Sequence, residues 1–223
     1  MGERRRIVFW RHGRTDWNAA GRFQGQTDIP LNDDGVRQAK HAARLLAAMG
    51  PTSIVASDLQ RTRTTAEALA EETGLAVAVD SGLRETNAGR WQGQTFDEIR
   101  LSDADLLAQW EDGAVDVAAG GAETRLDVAA RTRAAVERAL GKLGDSGTLV
   151  VVSHGGAIRV VLAELLGLPH SLWGALSGLS NCNWSVLEER RAAPGDGADG
   201  APRWRLGEHN AGTLLVPVAV VEG

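Results

Sequence analysis

Apolar residues in this chain gather into short dense runs, and between the runs they recur every three or four positions. Ile7-Val8-Phe9-Trp10 and Leu149-Val150-Val151-Val152 are unbroken, and shorter β-rich runs fall at 53–56 and 76–79. Each has the length and composition of a strand. Val36, Ala39, Ala43, Leu46 and Met49 keep a helical spacing, which predicts a helix over 33–49 with Asn32 as its N-cap and Gly50-Pro51 as its stop. A second helix is predicted over 59–73, with Asp58 near its start and Gly74 just past its end. Two more follow: one over 124–143, from Leu126, Ala129, Val136, Leu140 and Leu143, and one over 157–166, from Ile158, Val161, Leu162, Leu165 and Leu166. Strands alternating with helices in this way predict an α/β fold built on a largely parallel sheet. The segments 183–189 and 203–209 alternate like strands, and the Gly, Pro, Ala and Asp between them predict a late hairpin with a mobile tip.

With 223 residues, 43% of them hydrophobic, the chain is long enough for one sizeable core, and without an internal repeat one domain over 1–223 is expected. A net charge of −5 disfavours a nucleic-acid or anionic-membrane partner, so any arginine cluster must be local and specific. No apolar run approaches the roughly 18 residues of a membrane helix. Arg4-Arg5-Arg6 precedes too few apolar residues for a signal peptide, and Cys182 is the single cysteine, so a cytoplasmic location is expected. Gly195-Asp196-Gly197-Ala198-Asp199-Gly200 has the spacing of a dinucleotide fingerprint, but it precedes Pro202 and a strand, and its aspartates would repel a pyrophosphate. No two histidines have the i, i+4 spacing of a zinc helix, and no metal or other cofactor is expected. The tryptophans read as packing residues, except Trp17 and Trp91, which lie beside candidate site segments.

The chemistry gathers where strands end. The first strand runs into Arg11-His12-Gly13, and the strand at 149–152 runs into Ser153-His154-Gly155-Gly156. In open α/β sheets the ligand crevice lies beyond the carboxyl ends of the strands, so two strand-terminal histidines can meet over one ligand. Neighbouring arginine and glycine, which supply charge and free backbone N–H groups, point to an anion. Arg61 and Glu85 follow two further predicted strands. Taken singly, Arg61 reads as a solvated helix charge and Glu85 as a loop carboxylate. Their joint placement at strand ends changes that reading.

Four ordered segments carry a specific likeness: Arg11-His12-Gly13; Ser57-Asp58-Leu59-Gln60-Arg61 with Thr65-Ala66; Glu85 with Gly89, Trp91 and Gly93; and Ser153-His154-Gly155-Gly156. Together they resemble the histidine phosphatase, or phosphoglycerate-mutase-like, superfamily over almost the whole chain. The resemblance implies a three-layer fold, a parallel-rich sheet sandwiched by helices, and a phosphohistidine intermediate formed without metal. The implied chemistry suits these residues. A phosphomonoester repels an anionic nucleophile, whereas a neutral imidazole does not, so His12 is assigned as nucleophile. Arg11 and Arg61 would hold the phosphoryl oxygens, with His154 completing the cradle as an imidazolium or an N–H donor. Glu85, its proton favoured by adjacent phosphate charge, would protonate the leaving alkoxide and then activate water. Asn18, Gln24, Gly25 and Gly155 match substrate-contacting positions, and Arg14 departs from the Glu or Gln of many relatives.

Glycolytic mutases of this superfamily place a basic residue and a tyrosine after the glutamate and carry a long insertion. Here Thr86-Asn87-Ala88-Gly89 follows Glu85, and the chain has no tyrosine. Hydrolysis of a small phosphorylated metabolite is therefore expected. The segments 21–26, 83–86, 176–181 and 203–206 resemble an actinobacterial branch, which implies a homodimer and a substrate joining a sugar, a carboxylate and a phosphomonoester. Broad-specificity hydrolysis, ribazole-phosphate hydrolysis, mutase activity and non-catalytic phosphoester binding stay open at this point.

Overall fold

The computed structural model describes residues 4–190 and 203–212. Six strands, β1 (Arg5–Arg11), β2 (Ser53–Ala56), β3 (Val77–Val79), β4 (Gly147–Ser153), β5 (Trp184–Glu189) and β6 (Trp204–Ala211), form one sheet in the order β3-β2-β4-β1-β5-β6. The first four of that order run parallel, and β5 and β6 add an antiparallel edge. The late hairpin is therefore present as a strand pair. Its tip, with the glycine-aspartate run at 195–200, lies outside the described residues.

Among the described residues seven α-helices accompany the sheet: α1 (Asp16–Ala19), α2 (Asp33–Ala47), α3 (Gln60–Thr73), α4 (Phe96–Ser102), α5 (Ala104–Glu111), α6 (Arg125–Leu143) and α7 (Gly155–Leu165). Period-two alternation along the central strands sends side chains to opposite faces. Ile7, Phe9, Leu149 and Val151 bury against α6 and α7, through Val136, Leu140, Ile158 and Leu162. Val8, Trp10, Val150 and Val152 bury against α2 and α3, through Ala39, Ala43, Leu46 and Leu69. The result is the expected three-layer sandwich.

The caps predicted at Asn32 and Gly74 hold. Asn32 accepts the Gly35 N–H at the start of α2, and Gly74 ends α3. Thr124 opens α6 in a reciprocal capping box with Asp127. Two differences matter. The last predicted helix begins at Gly155, earlier than its apolar spacing shows, because the missing acceptor of its first turn comes from another segment, as described below. The short helices α4 and α5 went unpredicted. They bury Ile99 and Leu107 with Ala88, Trp91 and Ala119 in a small satellite cluster, packed by Phe23 and Trp110.

Candidate active site

Strand order brings the two histidines together. β4 lies beside β1 in parallel register, with Arg11 opposite Ser153, so the next residue of each strand reaches the same edge. The His12 N–H donates to the Ser153 carbonyl at 3.1 Å, and the His12 and His154 rings meet edge-on with centroids 5.2 Å apart.

His12 is 2% exposed. Its Nδ1 lies 2.7 Å from the Gly13 carbonyl, which can only accept, so Nδ1 carries the proton and Nε2 keeps its lone pair. Burial, and next the Arg61 and Arg11 guanidinium groups, hold its pKa well below the usual histidine value. The Asn181 amide steadies this loop by donating to the carbonyls of His12 and Gly13 at 3.1 and 3.2 Å and to Asn18 Oδ1 at 3.1 Å. Gly13 must lack a side chain, because a Cβ there would stand 2.4 Å from the Gly35 carbonyl oxygen.

Arg61 is fully buried, against the expectation for a lone helix charge. Nη1 and Nη2 donate to the Thr27 and Gly25 carbonyls at 2.9 and 2.8 Å, and Nε donates to His154 Nδ1 at 3.2 Å. Burial lowers its pKa to about 10, which leaves it charged at neutral pH. Because arginine only donates, His154 Nδ1 must be unprotonated, and the proton sits on Nε2, 3.0 Å from Ser57 Oγ. Burial, with Arg61 next, holds His154 well below the ordinary histidine pKa. The imidazolium alternative gives way to a neutral ring that steers Arg61.

Arg11 donates from Nη1 to the Leu179 carbonyl, while its buried Nε has no partner. Glu85 accepts backbone N–H bonds from Thr86 and Ala157 at 2.9 Å on Oε1 and from Gly156 at 3.0 Å on Oε2. The carboxylate thus supplies the acceptor that lets α7 begin at Gly155. Arg14 points away from the site, half-exposed and facing Asp34 at 3.9 Å.

These groups open on a cavity of about 280 Å³, lined by Arg11, His12, Asn18, Gln24, Gly25, Arg61, Glu85 and Gly156, with Trp17, Phe23, Phe96 and Trp110 on its apolar wall. His154 and Gly155 stand behind this lining: His154 against Arg61, Gly155 beneath Arg11. Trp91 is excluded too, fully buried with its indole N–H on Asp103 at 2.7 Å. The sequence reading missed the roles of Asn181 and Ser57, although both lie in segments it quoted. It missed Phe96 and Trp110 because α4 and α5 are too short to show a period. A larger cleft of about 460 Å³ opens at the amino ends of β1 and β4. Two of its arginines are engaged, Arg5 with Glu189 and Arg6 with Thr148 and the Met49 carbonyl. Among the described residues no cluster of His, Cys, Asp and Glu could hold a metal ion, and no helix is long and apolar enough to cross a membrane.

Two measurements probe this geometry. A Cβ at position 156 would stand 2.6 Å from Glu85 Oε1, so Gly156→Ala must displace that carboxylate. A fall in kcat of roughly 10²-fold is expected, as for a misplacement of about 1 Å; kcat within threefold of wild type would disprove it. The second concerns acid. Both buried histidines have folded pKa values below the unfolded one, so the unfolded chain binds more protons once pH falls below about 6.5. Stability is complete above that pH. Each ring should then cost up to about 1.4 kcal/mol per pH unit below it, seen in urea melts between pH 7 and 5.

A paired-histidine anion pocket at the carboxyl edge of such a sheet defines a class, and sequence comparison agrees. Residues 7–194 match the profile of the histidine phosphatase superfamily (branch 1). The chain belongs to that superfamily, and it is a phosphatase. It is 42% identical to the glucosyl-3-phosphoglycerate phosphatase of Mycolicibacterium vanbaalenii over 214 residues, covering 93% of this chain and 95% of the relative. A probable phosphoglycerate mutase of Serratia proteamaculans is 35% identical over 186 residues, covering 83% and 86% respectively. The solved mycobacterial glucosyl-3-phosphoglycerate phosphatase in complex with VO3 superimposes with a TM-score of 0.82 at 40% identity, covering 93% of this chain and 99% of that one.

Proposed function

We propose that this phosphatase hydrolyses glucosyl-3-phosphoglycerate through a phosphohistidine on His12, without a metal ion. The observation that carries the reading is an uncharged imidazole with a free Nε2, set between two arginines and a carboxylate in one cavity. Nε2 attacks phosphorus as the bond to the leaving oxygen breaks, and Glu85 gives that oxygen a proton. Glu85 then takes a proton from water, whose oxygen attacks phosphorus and breaks the P–N bond, releasing phosphate and restoring both residues. Arg11 and Arg61 hold charge on the transferring oxygens, and Arg11 Nε, buried without a protein acceptor, suits one of them. His154 orients Arg61 and so acts through it. Asn18 spends Oδ1 on Thr15 and Asn181, which leaves its amide N–H groups for the substrate. The Gln24-Gly25 turn is held in place by Arg61.

The substrate follows from the 42% identical relative of that name, and the aromatic wall offers a platform suited to a sugar ring. One catalytic domain over the whole chain, a cytoplasmic location and a homodimer formed through the β5–β6 edge belong to the same proposal. A monomeric mass in solution would remove the dimer from it. A panel of glucosyl-3-phosphoglycerate, 3-phosphoglycerate, ribazole phosphate and sugar phosphates tests the specificity. A kcat/KM preference above about tenfold, or 1.4 kcal/mol, for the first is expected. A flat profile would instead favour broad specificity, and rapid formation of 2-phosphoglycerate would favour a mutase.

A further inference from the structure

Arg159 stands on α7 one turn beyond Gly155 and Gly156. Residues three and four apart share a helix face, so its direction falls between those of the two glycines. A Cβ at 155 would meet Arg11 Nε at 3.3 Å, and a Cβ at 156 would meet Glu85. The other sides of α7 are committed: Ala157, Val160 and Ala163 pack with α6, and Ile158, Val161 and Leu162 pack under the sheet. A helical arginine leans back over the preceding turn, and that lean brings the Arg159 guanidinium within range of the Glu85 charge, beside the cavity lining at Gly156.

Arg159 is half-buried, yet it makes no hydrogen bond or ion pair among the described residues. Burial lowers its pKa, and the Glu85 charge works the other way. A second cation adds to it. Arg125 is 6% exposed, stacks 4.5 Å from the ring centroid of Trp110 on the cavity wall, and is itself repelled by Arg159. Arg125 spends its N–H groups on the Ala114 and Trp110 carbonyls, so it neutralises nothing. The Glu85 oxygens are already occupied by three backbone N–H groups. A half-buried guanidinium with five donors and no protein acceptor is free to take a ligand that supplies one.

We infer that Arg159 binds the carboxylate of a phosphoglycerate substrate while Arg11 and Arg61 hold its phosphoryl group. The planar fork of arginine suits a carboxylate through paired N–H bonds. This rests on the phosphoglycerate reading above.

The test compares kcat/KM for 3-phosphoglycerate and glycerol 3-phosphate, which share a skeleton but carry a carboxylate or a hydroxymethyl group. Wild type should prefer the carboxylate by about tenfold or more, and Arg159→Met should cut that ratio about tenfold, chiefly through KM. Arg159→Lys keeps the charge and loses the fork, so it should cut the ratio by roughly threefold and serves if Arg159→Met does not fold. A ratio unchanged within twofold in both variants would overturn the inference, including the case in which both substrates slow equally because Arg159 serves only Glu85. Absence of any carboxylate preference in the wild type would instead overturn the phosphoglycerate reading from which it grows.

Discussion

His12→Ala is expected to lower kcat on every phosphomonoester by roughly 10⁴-fold or more. Protein quenched in alkali during turnover of a ³²P-labelled substrate should then carry no label, whereas wild type should carry base-stable label. The size follows from geometry. Nε2 carries the lone pair left exposed because the Gly13 carbonyl accepts the hydrogen bond from Nδ1–H. No second neutral nucleophile replaces it, because the other imidazole is held by Arg61 and Ser57. The fold should tolerate the change, since Asn181 still donates to the Gly13 carbonyl at 3.2 Å. Activity within tenfold of wild type, or a label that survives the substitution, would remove His12 from the reaction.

Glu85→Gln should lower kcat with an alkyl phosphate by about 10²- to 10⁴-fold, the usual contribution of a general acid and base. p-Nitrophenyl phosphate separates the two tasks. Its phenolate leaves without a proton, so the first step is spared while the second still lacks a base. Stopped-flow should show a burst of nitrophenolate equal to the enzyme concentration, followed by slow turnover. Loss without a burst, and of equal size for both esters, would mean that Glu85 only supports α7. That support is real: the carboxylate accepts the Gly156 and Ala157 N–H groups. A glutamine can offer only one acceptor oxygen, so some loss of thermal stability should accompany the kinetic one.

Much of the fold was legible locally. The runs at 7–10 and 149–152 and the helical spacing of 33–49 and 59–73 lie within single elements, where period and capping act over a few residues. The late hairpin was legible for the same reason. What escaped had another origin. Helix α7 starts at Gly155 because a carboxylate from 71 residues away accepts the N–H of Gly156, and no window of sequence contains that contact. α4 and α5 are 7 and 8 residues long, too short for a period, and they are held by the cluster around Trp91. Arg61 illustrates the limit best. Alone it looks like a surface charge, yet two carbonyls and a histidine ring enclose it.

The chemistry available to this protein, a histidine at each of two strand ends with arginines and a glutamate to serve them, was written in the order of its residues. Local patterns also determined that those residues would sit at a sheet edge. Tertiary structure decided the rest. It put β4 beside β1 so that the two rings touch, chose the His12 proton by offering Nδ1 a carbonyl, made His154 an acceptor for Arg61, and hung Glu85 on the first turn of α7. The physical reason is range: periodicity and capping are read over one turn or one pleat, whereas strand order, desolvation and the tautomer of a buried ring depend on groups that meet only when the chain closes on itself.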